Sequence, residues 1–208
     1  MCSKTYGVAK KCSLIAVKVL DGMSGSMSDI MSGYDWAVKD IMTYNRKHKA
    51  VINMSLGGPI SASFNKLIDT AFDYGITTVV AAGNDNTDDH NSSPASAEGA
   101  ITVGATDRYR VRAPFSNFGT NVAVFAPGVQ IISTWPGGGN RTLSGTSMAS
   151  PHIAGLALYL QGIRWFYNSK RLKKSIERLA TDRVVGDTKG SPNLFAYNNG
   201  GSRFGIWG

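Results

Sequence analysis

The sequence predicts an α/β domain built on a parallel sheet with helices covering both faces. Runs that are apolar throughout, such as TTVVAAG, ITVGAT and VAVFAPG, have the character of strands buried on two sides. Segments with helical periodicity separate several of the strand-like runs. A hydrophobic content of 42% with 17% charged residues, in 208 residues, suffices for one sizeable core. A single domain over residues 1–200 is expected, followed by a loose Gly-rich tail at 201–208.

The elements follow in order. CSLIAVKVL, residues 12–20, is β-branched and apolar and ends at the turn signal Asp21-Gly22, which predicts a strand. After the flexible MSGSM, Ile30, Tyr34, Ala37, Val38, Ile41 and Met42 recur at helical spacing behind Ser28, a candidate N-cap. AVINMSL, residues 50–56, is the next strand and breaks at Gly57-Gly58-Pro59. SASFNKLIDTAFDYG reads as a helix closed by Gly75 in the C′ position. Three short apolar strands come next, then a long apolar helix from about Thr146 and a basic one from Lys170. In such sheets ligands collect beyond the carboxyl ends of the strands. The stretches to inspect are therefore Ser24 to Ser26, Ser55 to Gly58, Ala82 to Asp85 and the approach to Ser147.

Several function classes drop out. The net charge of +8 is densest in SKRLKKSIER, residues 169–178, where basic and apolar positions alternate as on the solvated face of an amphipathic helix. No zinc-finger spacing, aromatic RNA-binding signature or phosphate loop accompanies it, so no nucleic-acid partner is expected. No run of 18 apolar residues suggests a membrane span, and MCSKTYGVAKKCS lacks the apolar core of a signal peptide. Cys2 and Cys12 are too few and too isolated to mark a disulfide framework or a metal site. No metal-binding set is assigned.

The chemistry gathers at LSGTSMASPHIAGLALYL, residues 143–160. A serine at a helix start, among free N–H groups at the positive dipole end, suits a nucleophile whose product is an oxyanion. The alternative for Ser147 is a plain helix cap. Asn84, in VVAAGNDN, follows a buried strand and a glycine, so its amide can point into a cleft as an oxyanion donor. Asn after Gly is also common in turns. The two residues together are more specific than either alone.

INMSLGG, VVAAGNDN, SPAS, VGATDRYRVRAPFSNFG, VFAPG and GTSMASPHIAGLALYL resemble, in that order, the subtilisin-like serine proteases, and within them the proteinase K-like branch. The resemblance runs from Tyr6 to about Leu160 and implies a three-layer α/β fold with a mainly parallel sheet. It implies Ser147 as the acylating nucleophile, with Asn84 and the Ser147 N–H as the oxyanion hole. It also implies Ser24-Gly25-Ser26 and Ser55-Leu56-Gly57 as edges between which a substrate peptide inserts, over an S1 floor of Ala81, Ala82 and Gly83. Small residues there imply broad aromatic or aliphatic specificity. Polypeptide substrates, an extracellular setting and an inhibitory propeptide in the precursor belong to the same implication.

The family works through a histidine base oriented by an aspartate, in chain order Asp, His, Ser. Neither the D-T/S-G nor the H-G-T-H motif occurs in these 208 residues. The resemblance therefore implies a catalytic domain lacking its N-terminal strands, expected to be inactive alone. His152 lies five positions past Ser147, about 140° around the helix and ~7.5 Å along it, and does not reach back. His90 and His48 read as loop and surface residues.

The aspartate-bearing strand of the family lies between those matching 12–20 and 50–56, so its absence leaves a gap or forces those two to pair. Marginal stability is expected. A calcium site of this branch uses an aspartate where this chain has Ala123, so no strong calcium is expected there. Two rivals remain: a non-catalytic peptide-binding protein that keeps the groove, and a polyanion binder acting through the basic helix. Asn91-Ser92-Ser93 and Asn140-Arg141-Thr142 are glycosylation sequons, meaningful in a secreted chain.

Overall fold

The computed structural model describes residues 1–22 and 24–198, so the tail expected at 201–208 lies outside the described residues. Helix α1 (Met27–Thr43) leads to β1 (Val51–Met54), the two-residue β2 (Gly58–Pro59), α2 (Ala62–Asp73) and β3 (Thr77–Ala81). A 3-10 turn (Asp89–Asn91) precedes β4 (Ser92–Ser93), β5 (Ala100–Thr106) and β6 (Val122–Pro127). Then come β7 (Ile131–Thr134), β8 (Asn140–Leu143), α3 (Thr146–Ile163), α4 (Ser169–Leu179), β9 (Thr181–Asp182) and β10 (Leu194–Phe195).

The main sheet has the order β1-β3-β5-β6-β10-β9. Its neighbours are parallel from β1 to β10, and β9 closes it antiparallel. All residues of β3 and β5 are buried, as their unbroken apolar runs require. Alternation assigns adjacent side chains to opposite layers. Val79 packs with Ile153, Leu172 and Ile176 of α3 and α4, while Val80 packs with Tyr34, Phe64 and Ile68 of α1 and α2. Helices, sheet and helices make three layers.

Helix α3 is the central packing element. Its small residues let it lie close: a Cβ at Gly155 would sit 2.8 Å from the Cβ of Val8. The first residues of the chain therefore rest on this helix. Cys2 and Cys12 form a disulfide with Cα atoms 5.3 Å apart, which the sequence reading did not foresee. Helix α2 ends as expected, with Tyr74 at the C-cap and Gly75 at φ 89°.

Two expectations fail. Helix α1 is capped not by Ser28 but by Ser26, whose Oγ accepts from the Asp29 N–H. Residues 12–20 form no strand, and Leu14 and Ile15 are 66% and 56% exposed. Their β-branched character is real, but a strand needs a ladder partner. Among the described residues β1 pairs with β3 alone, so the gap stays open.

Candidate active site

Gly145, at φ 153°, turns the chain into α3 and, as its N-cap residue, has no side chain with which to cap it. Ser147 sits in the first turn, so it is not the helix cap. Its Oγ donates to the carbonyl of Ser55 at 3.1 Å. Pro151 has no N–H, so the Ser147 carbonyl four residues earlier loses its helical donor. The Ser55 hydroxyl fills that role, donating to the Ser147 carbonyl at 2.9 Å. Ser150 Oγ lies 2.9 Å from Ser55 Oγ and donates to it, the Ser55 proton being already engaged. This lattice fixes the end of β1 against the first turn of α3.

Asn84 is oriented by its carbonyl. Its Oδ1 accepts from the Thr146 N–H at 2.8 Å and the Thr146 hydroxyl at 3.0 Å. Thr146 Oγ1 in turn accepts from the Gly83 N–H at 3.1 Å. With Oδ1 occupied, the NH₂ end of the amide is the one free to meet a developing negative charge. A cleft of about 410 Å³ brings Leu56, Gly57, Ala81, Ala82, Gly83, Asn84 and Ser147 together. Ala81 and Ala82 are buried beneath it. Ser55 adjoins through its bonds to Ser147 and Ser150. Ser24, Gly25 and Ser26 do not line this cleft: Ser24 bridges Asp21 and Ser26 caps α1.

A family model, the Subtilase family (peptidase S8), matches residues 2–198. The chain belongs to the subtilase family. It is 51% identical over 197 residues to alkaline protease 1 of Aspergillus clavatus, covering 94% of this chain and 49% of that protein. Alkaline proteinase of Hapsidospora chrysogena is 48% identical over 201 residues, covering 96% of this chain and 50% of the relative. The chain thus spans about half the length of the curated relatives it matches. A crystal structure of a cold adapted subtilisin-like serine proteinase superposes with a TM-score of 0.87 at 41% identity, over 94% of this chain and 70% of that one. The fold is the three-layer subtilisin-like one.

The three histidines of the chain are engaged elsewhere. His152 Nδ1 bonds the Met148 carbonyl at 2.9 Å, and burial holds its pKa below the ordinary value. His48 Nδ1 meets the Phe166 carbonyl at 3.2 Å and stacks on Trp165. His90 Nδ1 lies 2.7 Å from Asp88 and 3.2 Å from Asp89. The bond to Asp88 raises the His90 pKa, and burial raises that of Asp89. These three side chains have ligand-type atoms within 4.8 Å of one another, and the buried Asp89 Oδ2 has no hydrogen-bond partner.

Two supporting residues escaped the sequence reading. Buried Asn117 accepts from the Asp85 and Thr87 N–H groups at 2.9 and 3.1 Å and donates to the Ala82 carbonyl at 3.0 Å. It holds both ends of the loop that carries Asn84. Gly83, at φ 107°, lies so close that a Cβ would collide with the Asn117 amide. Buried Arg112 gathers three segments: Nη1 donates to Asn86 Oδ1 and the Ser116 carbonyl, Nε to the Asp187 carbonyl, and Nη2 to Asp187 Oδ2 at 2.8 Å. Both sit in ordinary polar loops, where no local signal distinguishes a buried hub from a solvated side chain.

Proposed function

We propose that the protein carrying this chain is a serine endopeptidase that cleaves polypeptides through an acyl-enzyme on Ser147. The observation that carries this reading is the Asn84 amide, fixed by Thr146 and lining the same cleft as Ser147. Attack of the hydroxyl on a peptide carbonyl would place the new oxyanion between the Asn84 NH₂ and the Ser147 N–H at the positive end of α3. The alanine and glycine floor leaves room for aromatic or aliphatic side chains. An upstream segment would supply the base and its aspartate, and the precursor would carry an inhibitory propeptide.

The 208-residue polypeptide alone has no peptidase turnover in this reading. Ser147 Oγ donates to a carbonyl, which accepts no proton, and each histidine is held by other partners. Loss of the histidine alone from such a triad costs about 10⁶ in rate. An extracellular setting is supported by the Cys2–Cys12 disulfide. Strong calcium binding at Ala123 is not part of the reading, because a methyl group 8% exposed within apolar β6 offers a hard cation no oxygen ligand. A nucleic-acid partner is not part of the reading either; Lys173, amid the basic run, donates its ammonium to the Glu98 and Ala100 carbonyls.

A second reading, peptide binding without cleavage, is favoured by the formed cleft beside a hydroxyl without a base. Casein hydrolysis separates the two. The 208-residue chain is expected to be inert, and the same chain extended by in-frame upstream sequence active in a manner abolished by Ser147→Ala. Ser147-dependent hydrolysis by the short chain overturns the claim of a missing base. Saturable peptide binding with no hydrolysis by either form selects the second reading.

A further inference from the structure

The 3-10 turn Asp89–Asn91 gathers three side chains at one point. Asp88 caps it, with Oδ1 accepting from the His90 N–H at 2.9 Å. His90 Nδ1 lies 2.7 Å from the same oxygen and 3.2 Å from Asp89 Oδ1. The Asp88 and His90 side chains are 49% and 58% exposed, whereas that of Asp89 is fully buried. Asp89 Oδ1 also accepts from Asn121 Nδ2 at 3.2 Å, but Oδ2 of the same carboxylate has no partner. The nearby Val122 N–H donates to the Gly119 carbonyl at 3.3 Å. Gly119 backs the carboxylate so closely that a Cβ there would collide with it, so Asp89 cannot retreat from the turn.

Charge does not balance there. Among the described residues neither carboxylate is ion-paired with a lysine or arginine, so a protonated His90 returns one positive charge against two negative ones. A buried carboxylate with an unmatched oxygen is costly. A divalent cation removes the deficit in one step. The donor set selects which cation. Calcium and magnesium take oxygen ligands, whereas imidazole nitrogen suits zinc and its transition-metal neighbours. Zinc bonds of about 2.0–2.1 Å in a tetrahedral site place neighbouring ligand atoms ~3.3 Å apart. The His90–Asp89 separation of 3.2 Å already has that value, and the His90–Asp88 pair needs to open by roughly 0.6 Å. Asp88 is exposed enough to yield. Asp89 Oδ1 serves Asn121, which leaves Oδ2 with spare electron pairs for an ion.

We infer that Asp88, Asp89 and His90 bind a divalent cation of the zinc class through both carboxylates and His90 Nδ1, leaving a fourth position for water. Such an ion braces two loops. The Asp89 N–H donates to the Phe118 carbonyl at 2.7 Å, and the Phe118 N–H to the Thr87 carbonyl at 3.1 Å. Thr87 and Asn91, on either side of the three ligands, line the cleft that holds Asn84 and Ser147. A bound ion therefore stiffens one wall of that cleft. It takes part in no catalytic step, and its binding is measured apart from peptidase activity.

The test uses the untagged 208-residue chain and zinc chloride, with a chromophoric chelator as competitor. Zinc is expected to bind in one equivalent and to slow amide exchange at residues 87–91 about tenfold. Calcium chloride at equal concentration is expected to leave exchange unchanged. His90→Gln alters an exposed ring, and is expected to keep the far-ultraviolet spectrum while weakening zinc binding at least tenfold. Asp89→Asn keeps the shape, removes the charge and is expected to do the same; where it does not fold, His90→Gln decides alone. No zinc binding by the folded chain overturns the inference. Zinc binding undiminished in His90→Gln overturns it in favour of other side chains, and an equal response to calcium in favour of an oxygen-only site.

Discussion

Ser55 and Ser147 exchange hydrogen bonds in both directions. Each hydroxyl donates to the other residue's carbonyl, at 3.1 Å from Ser147 Oγ and 2.9 Å from Ser55 Oγ. The second bond exists because Pro151 removes the helical donor. Ser55→Ala is therefore expected to destabilise the chain by about 1–2 kcal/mol. Adding Pro151→Ala, which restores an N–H four residues along, is expected to recover part of that loss. Urea melts of the two single variants and the double variant measure the coupling. Strict additivity would show that the proline and the serine act independently.

Asn117 supports the Asn84 loop from beneath. Asn117→Ala removes the acceptor of the Asp85 and Thr87 N–H groups and the donor to the buried Ala82 carbonyl, and is expected to cost roughly 2 kcal/mol. The exchange of the Asp85 and Thr87 amides should rise more than that of β5. An unaltered exchange pattern would assign the loop's order to Arg112 instead.

Tyr34 gives the chain an alkaline limit. Its hydroxyl lies 2.8 Å from Thr78 Oγ1 beneath the sheet. Burial pushes its pKa up from 10.0 to about 12, with the Thr78 bond opposing and Asp69 adding a little. Because the folded value is raised, the stability is fully present below pH 10 and is lost as pH climbs from there through about 12. The amount is roughly 2 kcal/mol. Tyr34→Phe is expected to flatten the pH dependence of the urea midpoint in that window. A slope equal to the parent's would place the titration elsewhere.

The Cys2–Cys12 bridge closes a loop with a sequence separation of 10. Reduction is expected to lower stability by up to about 3 kcal/mol and to loosen the contact of Val8 with Gly155. Melting curves with and without a thiol reductant check the first. Exchange at Gly155 checks the second.

Sequence reading captured what repeats or is apolar throughout. Strands β3, β5 and β6, the span of α3 and the Gly75 stop all carry local chemistry that leaves few alternatives. Asn84 and Ser147 were legible because each follows a strand end or begins a helix in a recognisable block. The run 12–20 misled, since β-propensity describes a surface that awaits a neighbour and here the neighbour is absent. Ser26 and Ser28 offer the same capping chemistry, and only the path of the chain chooses between them. The disulfide depends on how residues 2–12 fold back, which two isolated cysteines do not announce. Nothing in the local pattern distinguishes Arg112 and Asn117 from solvated loop residues.

Arg112 ties Asp187 to Asn86, two residues past Asn84. A single cut in the exposed bend at 187–190 would free the aspartate, slacken the guanidinium and let the loop under Asn84 drift. Damage far along the chain would then register as a displaced Asn84 amide while the sheet still held. Wear of that kind would reach the cleft before it reached the fold.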